Sequence, residues 1–553
     1  MMTQRRNVLK TKFFQKTWFL ITIFGLTLGL LAIYFTSSSL TTAAEKINPP
    51  DRVRPAAVAG SWYPGDAQEL GNLVDKLLAD ASPQSPQSKD VIRALIVPHA
   101  GYQFSGAGAA AGYKLIKGQS LHRVIILGPA HSGRFHGLSI ADATHYETPL
   151  GRIPLDLDTI AQLRHNSLVV SDANAHQREH SIEIQLPLLQ RVLAPDWKLL
   201  PILVGQMNAE DYVNAAKLLR PFADDKTLIV VSGDFTHYGP RYRYVPFPPV
   251  DGIKARLKQL DMGAYQKIAA HDAAGFMAYR EMTGITACAF GPVMVLLHLL
   301  PESATPTLVK YYTSGDVVGD YRHSVSYFTV VATNKQPVSD ALFPITNSQF
   351  KISQYSESQM KFLHRLARNT VAATVKPEQS DMADWIELAS ELPNDLQKPA
   401  GAFVTLKKQG QLRGCIGYIQ PKEPLYRAVI INAIKAARHD PRFYPVQPNE
   451  LANLELEVSV LSKPQPIDSY ETFDVGKQGI ILEKGGRGAV FLPEVAVEQG
   501  WNREQTLSHL AKKAGLPPDA WKEGAKFQVF TTQTYAAPWQ HDSKVPKTDG
   551  RGK

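Results

Sequence analysis

Five short, largely apolar segments recur along the chain, at residues 94–98, 123–127, 198–204, 227–232 and 325–332. Amphipathic stretches at 156–164, 181–192, 209–219 and 254–270 lie between them. Segments that are largely apolar, rather than apolar only at alternate positions, suit strands covered on both faces. Residues 54–333 are therefore expected to form an α/β domain with a central sheet flanked by helices.

The pattern then changes. Residues 334–353 lack periodicity, carry Pro337 and Pro344, and read as a linker. Beyond them the spacing predicts a helix over 357–375 and a hairpin of 402–406 with 413–419, turning at Lys408-Gln409-Gly410. A helix over 425–437 and a strand over 454–461 follow. A second hairpin pairs 480–482 with 489–492 around Gly485-Gly486. Strands here are not regularly separated by helices, so residues 354–540 are expected to be a smaller α+β domain. The polar residues 541–553 read as a disordered tail.

Composition narrows the functional classes. Hydrophobic residues make up 44% and charged residues 20%, which excludes a disordered or coiled-coil chain. Two cysteines, Cys288 and Cys415, exclude a disulfide scaffold, a multi-cysteine zinc site or an iron–sulfur cluster. The net charge of +9 is concentrated at one end: Arg5, Arg6, Lys10, Lys12 and Lys16 precede the first acid, Glu45. The rest of the chain has a mixed surface, and no nucleic-acid partner is expected.

The N-terminus reads as an address. Residues 1–17 form a basic region, 18–36 a transmembrane helix or signal core, and 37–53 a linker. The flanking charge places residue 1 in the cytoplasm and the body on the extracytoplasmic side. A retained membrane anchor and a cleaved signal both fit. Gln4-Arg5-Arg6-Asn7-Val8-Leu9-Lys10 resembles a twin-arginine export signal.

Candidate chemistry gathers at strand ends. His99 follows the 94–98 segment in Pro98-His99-Ala100-Gly101, and His131 follows the next in Gly128-Pro129-Ala130-His131. Ser232-Gly233-Asp234-Phe235-Thr236-His237 ends another, and Thr286-Ala287-Cys288 brings the domain's only cysteine. Loops at the carboxyl ends of strands converge on the ligand site of an α/β sheet. These residues therefore suit a metal or acid/base cluster, while each taken singly also suits a turn or core position. Glu183 lies one helical turn after His180, as a group supporting the site or as a structural ion pair.

These motifs carry a resemblance. Arg54-Pro55-Ala56 with Ala59-Gly60-Ser61-Trp62-Tyr63-Pro64, Val97-Pro98-His99-Ala100-Gly101-Tyr102, Glu179-His180-Ser181-Ile182-Glu183, Ser232-Gly233-Asp234-Phe235 with His237, and Thr286-x-Cys288 resemble the Memo family, mediators of ErbB-driven motility. That family is similar in fold to class III extradiol dioxygenases. The resemblance implies iron or copper bound by His99, His131 and Cys288, with Asp234, His237 and His180 as catalytic pocket residues. A cysteine stands where the dioxygenases have a carboxylate, a softer donor that favours iron or copper. His237, held by Asp234, is expected as an acid/base pair.

In the second domain, Leu412-Arg413-Gly414-Cys415-Ile416-Gly417 resembles the signature of the AMMECR family, as do Asp440-Pro441-Arg442-Phe443 and the segment 454–461. Arg413 beside Cys415 suits either a reactive thiol of lowered pKa or a close-packed strand pair. Together the two domains resemble components of the AmmeMemoRadiSam system, which implies a radical S-adenosylmethionine enzyme as partner. Two principal functions remain: a metal-dependent, dioxygenase-like redox protein, or a non-catalytic scaffold binding a metal, small molecule or peptide in the same pocket. A thiol enzyme centred on Cys415 is a third.

Overall fold

The computed structural model describes residues 51–83, 91–247, 252–334 and 355–539. The expected N-terminal region, linkers and C-terminal tail fall wholly or mostly outside these residues. Among the described residues no helix is long and apolar enough to cross a membrane.

Nine strands build the sheet of the first body: β1 (Val91–Val97), β2 (Arg123–Pro129), β3 (Leu138–Ile140), β4 (Val169–Val170), β5 (Lys198–Val204), β6 (Thr227–Ser232), β7 (His237–Tyr238), β8 (Ala304–Thr313) and β9 (Ser324–Asn334). Their order is β7-β9-β1-β6-β2-β5-β3-β4, with β8 also paired to β9. The central four, β1, β6, β2 and β5, are mutually parallel. Strand β9 joins β1 antiparallel, and β3 joins β5 antiparallel. Every residue of β6 is buried, and so is every residue of β2 after Arg123. That is the burial expected of parallel strands with helices on both faces.

The helix Tyr102–Lys114 follows β1 and lies close against the sheet. A Cβ at Gly112 would come within 3.1 Å of both Val97 and Thr329 side chains. This Gly/Ala-rich helix has little polar–apolar contrast, so periodicity does not reveal it. Strand β8 is hidden for a related reason, since most of its residues are only partly buried. The stretch expected as one helix over 181–192 is two, His180–Glu183 and Leu186–Val192. Pro187, near the start of the second, has no N–H to continue the first.

The second body holds two four-stranded antiparallel sheets. The first runs in the order Gln411–Tyr418, Gly401–Lys408, Leu454–Leu461, Thr532–Pro538. Its apolar face, including Ala402, Val404, Leu406, Leu456 and Val458, is covered by helices Glu357–Val375 and Leu425–Arg438. The second sheet packs with helix Arg503–Lys513 around Phe473, Ile480, Leu482, Leu507 and Trp521. Both expected hairpins form, with Gln409 and Gly410 at φ of 52° and 76° and Gly485 and Gly486 at 57° and 75°. Positive φ at both central residues matches the right-handed twist of the flanking strands.

The two bodies share an apolar core. Tyr426 Oη donates to Glu281 at 2.7 Å, and Lys267 Nζ donates to the Ser390 carbonyl at 3.0 Å, near the end of helix Met382–Glu391. A cation there satisfies a carbonyl left unpaired by the helix.

Candidate metal centre

The carboxyl ends of β1, β2 and β6 lead into His99, His131 and Asp234. His180 reaches the same place from the short helix His180–Glu183. One ring nitrogen from each of His99, His131 and His180 lies within 4.8 Å of the other two. The rings of His131 and His180 stack at 4.6 Å, and His99 meets both edge-on at 5.2 and 5.1 Å. Trp62, from the loop after the short strand Val53–Arg54, packs against His180 at 4.3 Å.

Each imidazole is held from behind. Glu179 accepts from the His131 backbone N–H at 2.7 Å and from its Nδ1 at 2.9 Å. It also accepts from the Ser181 N–H at 3.0 Å, and its Oε1 lies 3.4 Å from His180 Nδ1. Burial works to raise the Glu179 pKa, but the bond from His131 and the charges of His131 and His180 hold it at about 2. His131 therefore carries its proton on Nδ1 and leaves Nε2 as the donor to a ligand. Burial, reinforced by His131, pushes His180 down to about 4. Burial also drives His99 well below its ordinary value, with His180, His131 and His237 adding to the effect. The imidazoles of His99 and His180 are thus neutral at pH 7, the state a metal requires.

Cys288 belongs to the same cluster. Its Sγ lies 3.2 Å from His99 Nε2 and accepts from the Asp234 N–H at 3.2 Å. Burial, and then Asp234, push its thiol pKa well up. Asp234 accepts from the His99 N–H at 2.9 Å, and burial pushes its carboxyl up to about 7.

The expected pairing of Asp234 with His237 does not form. Asp234 turns back to the β1 loop, while His237 Nδ1 donates to the carbonyls of Phe235 and Thr286, at 2.9 and 3.0 Å. The three-residue spacing crosses from the β6 loop into β7, so the two side chains are held by different neighbours. Burial lowers the His237 pKa against these two bonds. Tyr242 packs on its ring at 5.2 Å.

Glu183 faces away from the histidines. Fully buried, it accepts from Arg54, from the N–H groups of Ala57 and Val58 at 2.8 and 3.0 Å, and from Tyr63 Oη at 2.7 Å. It anchors the opening motif, which in turn carries Trp62 to the site.

In the second body Arg413 makes a two-pronged contact with Glu450, at 3.1 and 2.9 Å. Cys415 instead accepts from Thr405 Oγ1 at 3.2 Å, and burial raises its pKa, which fits the close-packed strand pair rather than the reactive thiol. A Cβ at Gly414 would come 2.3 Å from the Ala436 carbonyl, so the glycine allows a helix to lie on the strand.

Sequence reading misses Glu179, Ser232 and Gln185 as site residues. Glu179 stands beside His180 in a quoted motif, and an acid flanking a candidate ligand is a usable signal. Ser232 also opens a quoted motif, but its contacts, like those of Gln185, join residues far apart in sequence and leave no local signal.

Fold and site together define an α/β domain with a histidine cluster at the carboxyl ends of its parallel strands. The family profile of Memo-like proteins matches residues 54–331, and that of AMMECR1 matches residues 364–535. A MEMO1 family protein of Methanopyrus kandleri is 30% identical over 290 residues, covering 50% of this chain and 98% of that protein. A protein of Methanothermobacter thermautotrophicus is 40% identical over 175 residues, covering 31% of this chain and 88% of its own length. The crystal structure of an uncharacterized protein from Pyrococcus horikoshii is 38% identical, covers 33% of this chain and 92% of that one, and has a TM-score of 0.31. The chain belongs to the Memo family and carries an AMMECR1 domain fused after it.

Proposed function

We propose that the Memo domain binds one iron or copper ion at His99, His131 and His180, with Cys288 as a further donor, and uses it in dioxygenase-like redox chemistry. The observation that carries this reading is the convergence of three imidazoles within 4.8 Å at the sheet's carboxyl edge. Imidazole and thiolate donors suit iron or copper and do not suit magnesium or calcium. Such an ion, when bound, supplies Lewis-acid and electron-transfer chemistry.

The chain's own residues supply the rest. Glu179 orients His131 and keeps its proton on Nδ1. Asp234 ties the β1 loop to the β6 loop through the His99 N–H. His237 keeps its proton on Nδ1 and presents Nε2 to take or return a proton on a substrate hydroxyl. Trp62 shields His180 from water. The pairing with an AMMECR1 domain supports a setting in the AmmeMemoRadiSam system, with a radical S-adenosylmethionine enzyme as partner.

Cobalt(II) loading tests the donor set. Wild type should develop visible ligand-field bands and a near-ultraviolet thiolate band. Cys288→Ser should lose only the thiolate band, and His99→Ala should lose both. Failure of wild type to take up cobalt contradicts the reading. Metal uptake without oxygen consumption across a substrate screen favours the non-catalytic scaffold.

A further inference from the structure

We propose that Ser232 and Gln185 are positioning residues for His99, holding its imidazole as the Nδ1–H tautomer with a bare Nε2 toward the pocket. The proposal deepens the metal-site reading and rests on it for its purpose, though its geometry stands apart from any metal.

A buried chain of hydrogen bonds fixes where each proton lies. Tyr113 Oη donates to Gln185 Oε1 at 3.0 Å. Gln185 Nε2 donates to the Pro98 carbonyl at 3.0 Å and to Ser232 Oγ at 2.8 Å. Ser232 Oγ also contacts the Ser181 carbonyl, which can only accept, so the hydroxyl's one proton goes there. Towards His99 Nδ1, 3.4 Å away, Ser232 has only a lone pair to offer. The ring must therefore carry its proton on Nδ1.

Tyr113, Gln185 and Ser232 are all fully buried, so water does not substitute for any link. The carbonyl of Pro98 fixes the amide orientation of Gln185, and Pro98 directly precedes His99. Gln185 thus holds the backbone before the ligand as well as the hydroxyl behind its ring. The opposite tautomer would set two lone pairs against each other in a dry interior. Nε2 then faces Cys288 Sγ at 3.2 Å, the side from which a metal would approach.

The test uses the full-length chain with 15N-labelled histidine, free of metal, with His99→Gln to assign the His99 signals. Long-range 1H–15N spectra of wild type should show His99 protonated on Nδ1 alone. Ser232→Ala should convert His99 to a tautomer mixture and weaken zinc binding about tenfold. Ser232→Thr, which keeps the hydroxyl, should restore both. Gln185→Met serves as the second variant if Ser232→Ala does not fold, with the same expected result. A wild-type tautomer and wild-type zinc affinity in a folded Ser232→Ala or Gln185→Met protein would overturn the proposal. If wild type binds no zinc, the metal reading falls, and the tautomer spectra alone still decide this one.

Discussion

One carboxylate, that of Glu179, takes both the backbone N–H and the Nδ1 of His131, at 2.7 and 2.9 Å. The contact sets the position and the proton of a single ring, and its other oxygen contacts place the next histidine beside it. Glu179→Gln keeps the shape but turns an amide donor toward N–H groups. Metal affinity should fall between about 10- and 100-fold while the fold persists. A chelator-competition titration with zinc measures this.

The depressed pKa of His180 predicts a pH dependence in the metal-free protein. Its folded value is about 4, below the ordinary value of 6.5. The unfolded chain therefore takes up a proton first as pH falls. The stability associated with neutral His180 is full above pH 6.5 and is lost as pH falls through about 4, amounting to about 3 kcal/mol. His180→Gln should flatten the fall in thermal midpoint over this window. An unchanged slope would show that His180 is not buried as described.

The ion pair of Arg54 and Glu183 predicts a stability effect. Removing either partner leaves the other charge buried, at a cost of about 3–5 kcal/mol. Denaturant midpoints should fall for Glu183→Ala and Arg54→Ala, and the double variant should cost less than their sum.

Much of this was legible before the fold was known. His99 and His131 stand directly after apolar runs, where sheet topology gathers loops, and the same holds for Asp234. His180 was legible as a pocket residue, but not that its ring would stack on His131, because that contact joins a loop to a short helix about 50 residues away. The failed Asp234–His237 pairing shows the limit of spacing: three residues crossing a loop into a strand carry no fixed direction. Arg413 and Cys415 teach the same lesson, since Arg413 is the extra residue of a β-bulge between Leu412 and Gly414 and Glu450 takes the arginine.

Cys415 should react slowly. Its thiol is largely buried, accepts from Thr405 and has a raised pKa. Mild alkylation at pH 7 followed by peptide mass spectrometry should leave most Cys415 unmodified. Rapid modification would revive the thiol-enzyme reading.

The central claim is tested most directly by the metal content of the full-length chain, purified without oxygen, for wild type, His99→Ala and His180→Ala. Near-stoichiometric iron or copper in wild type, lost in both variants, is the predicted result. No metal in wild type, or metal retained in both variants, would contradict it.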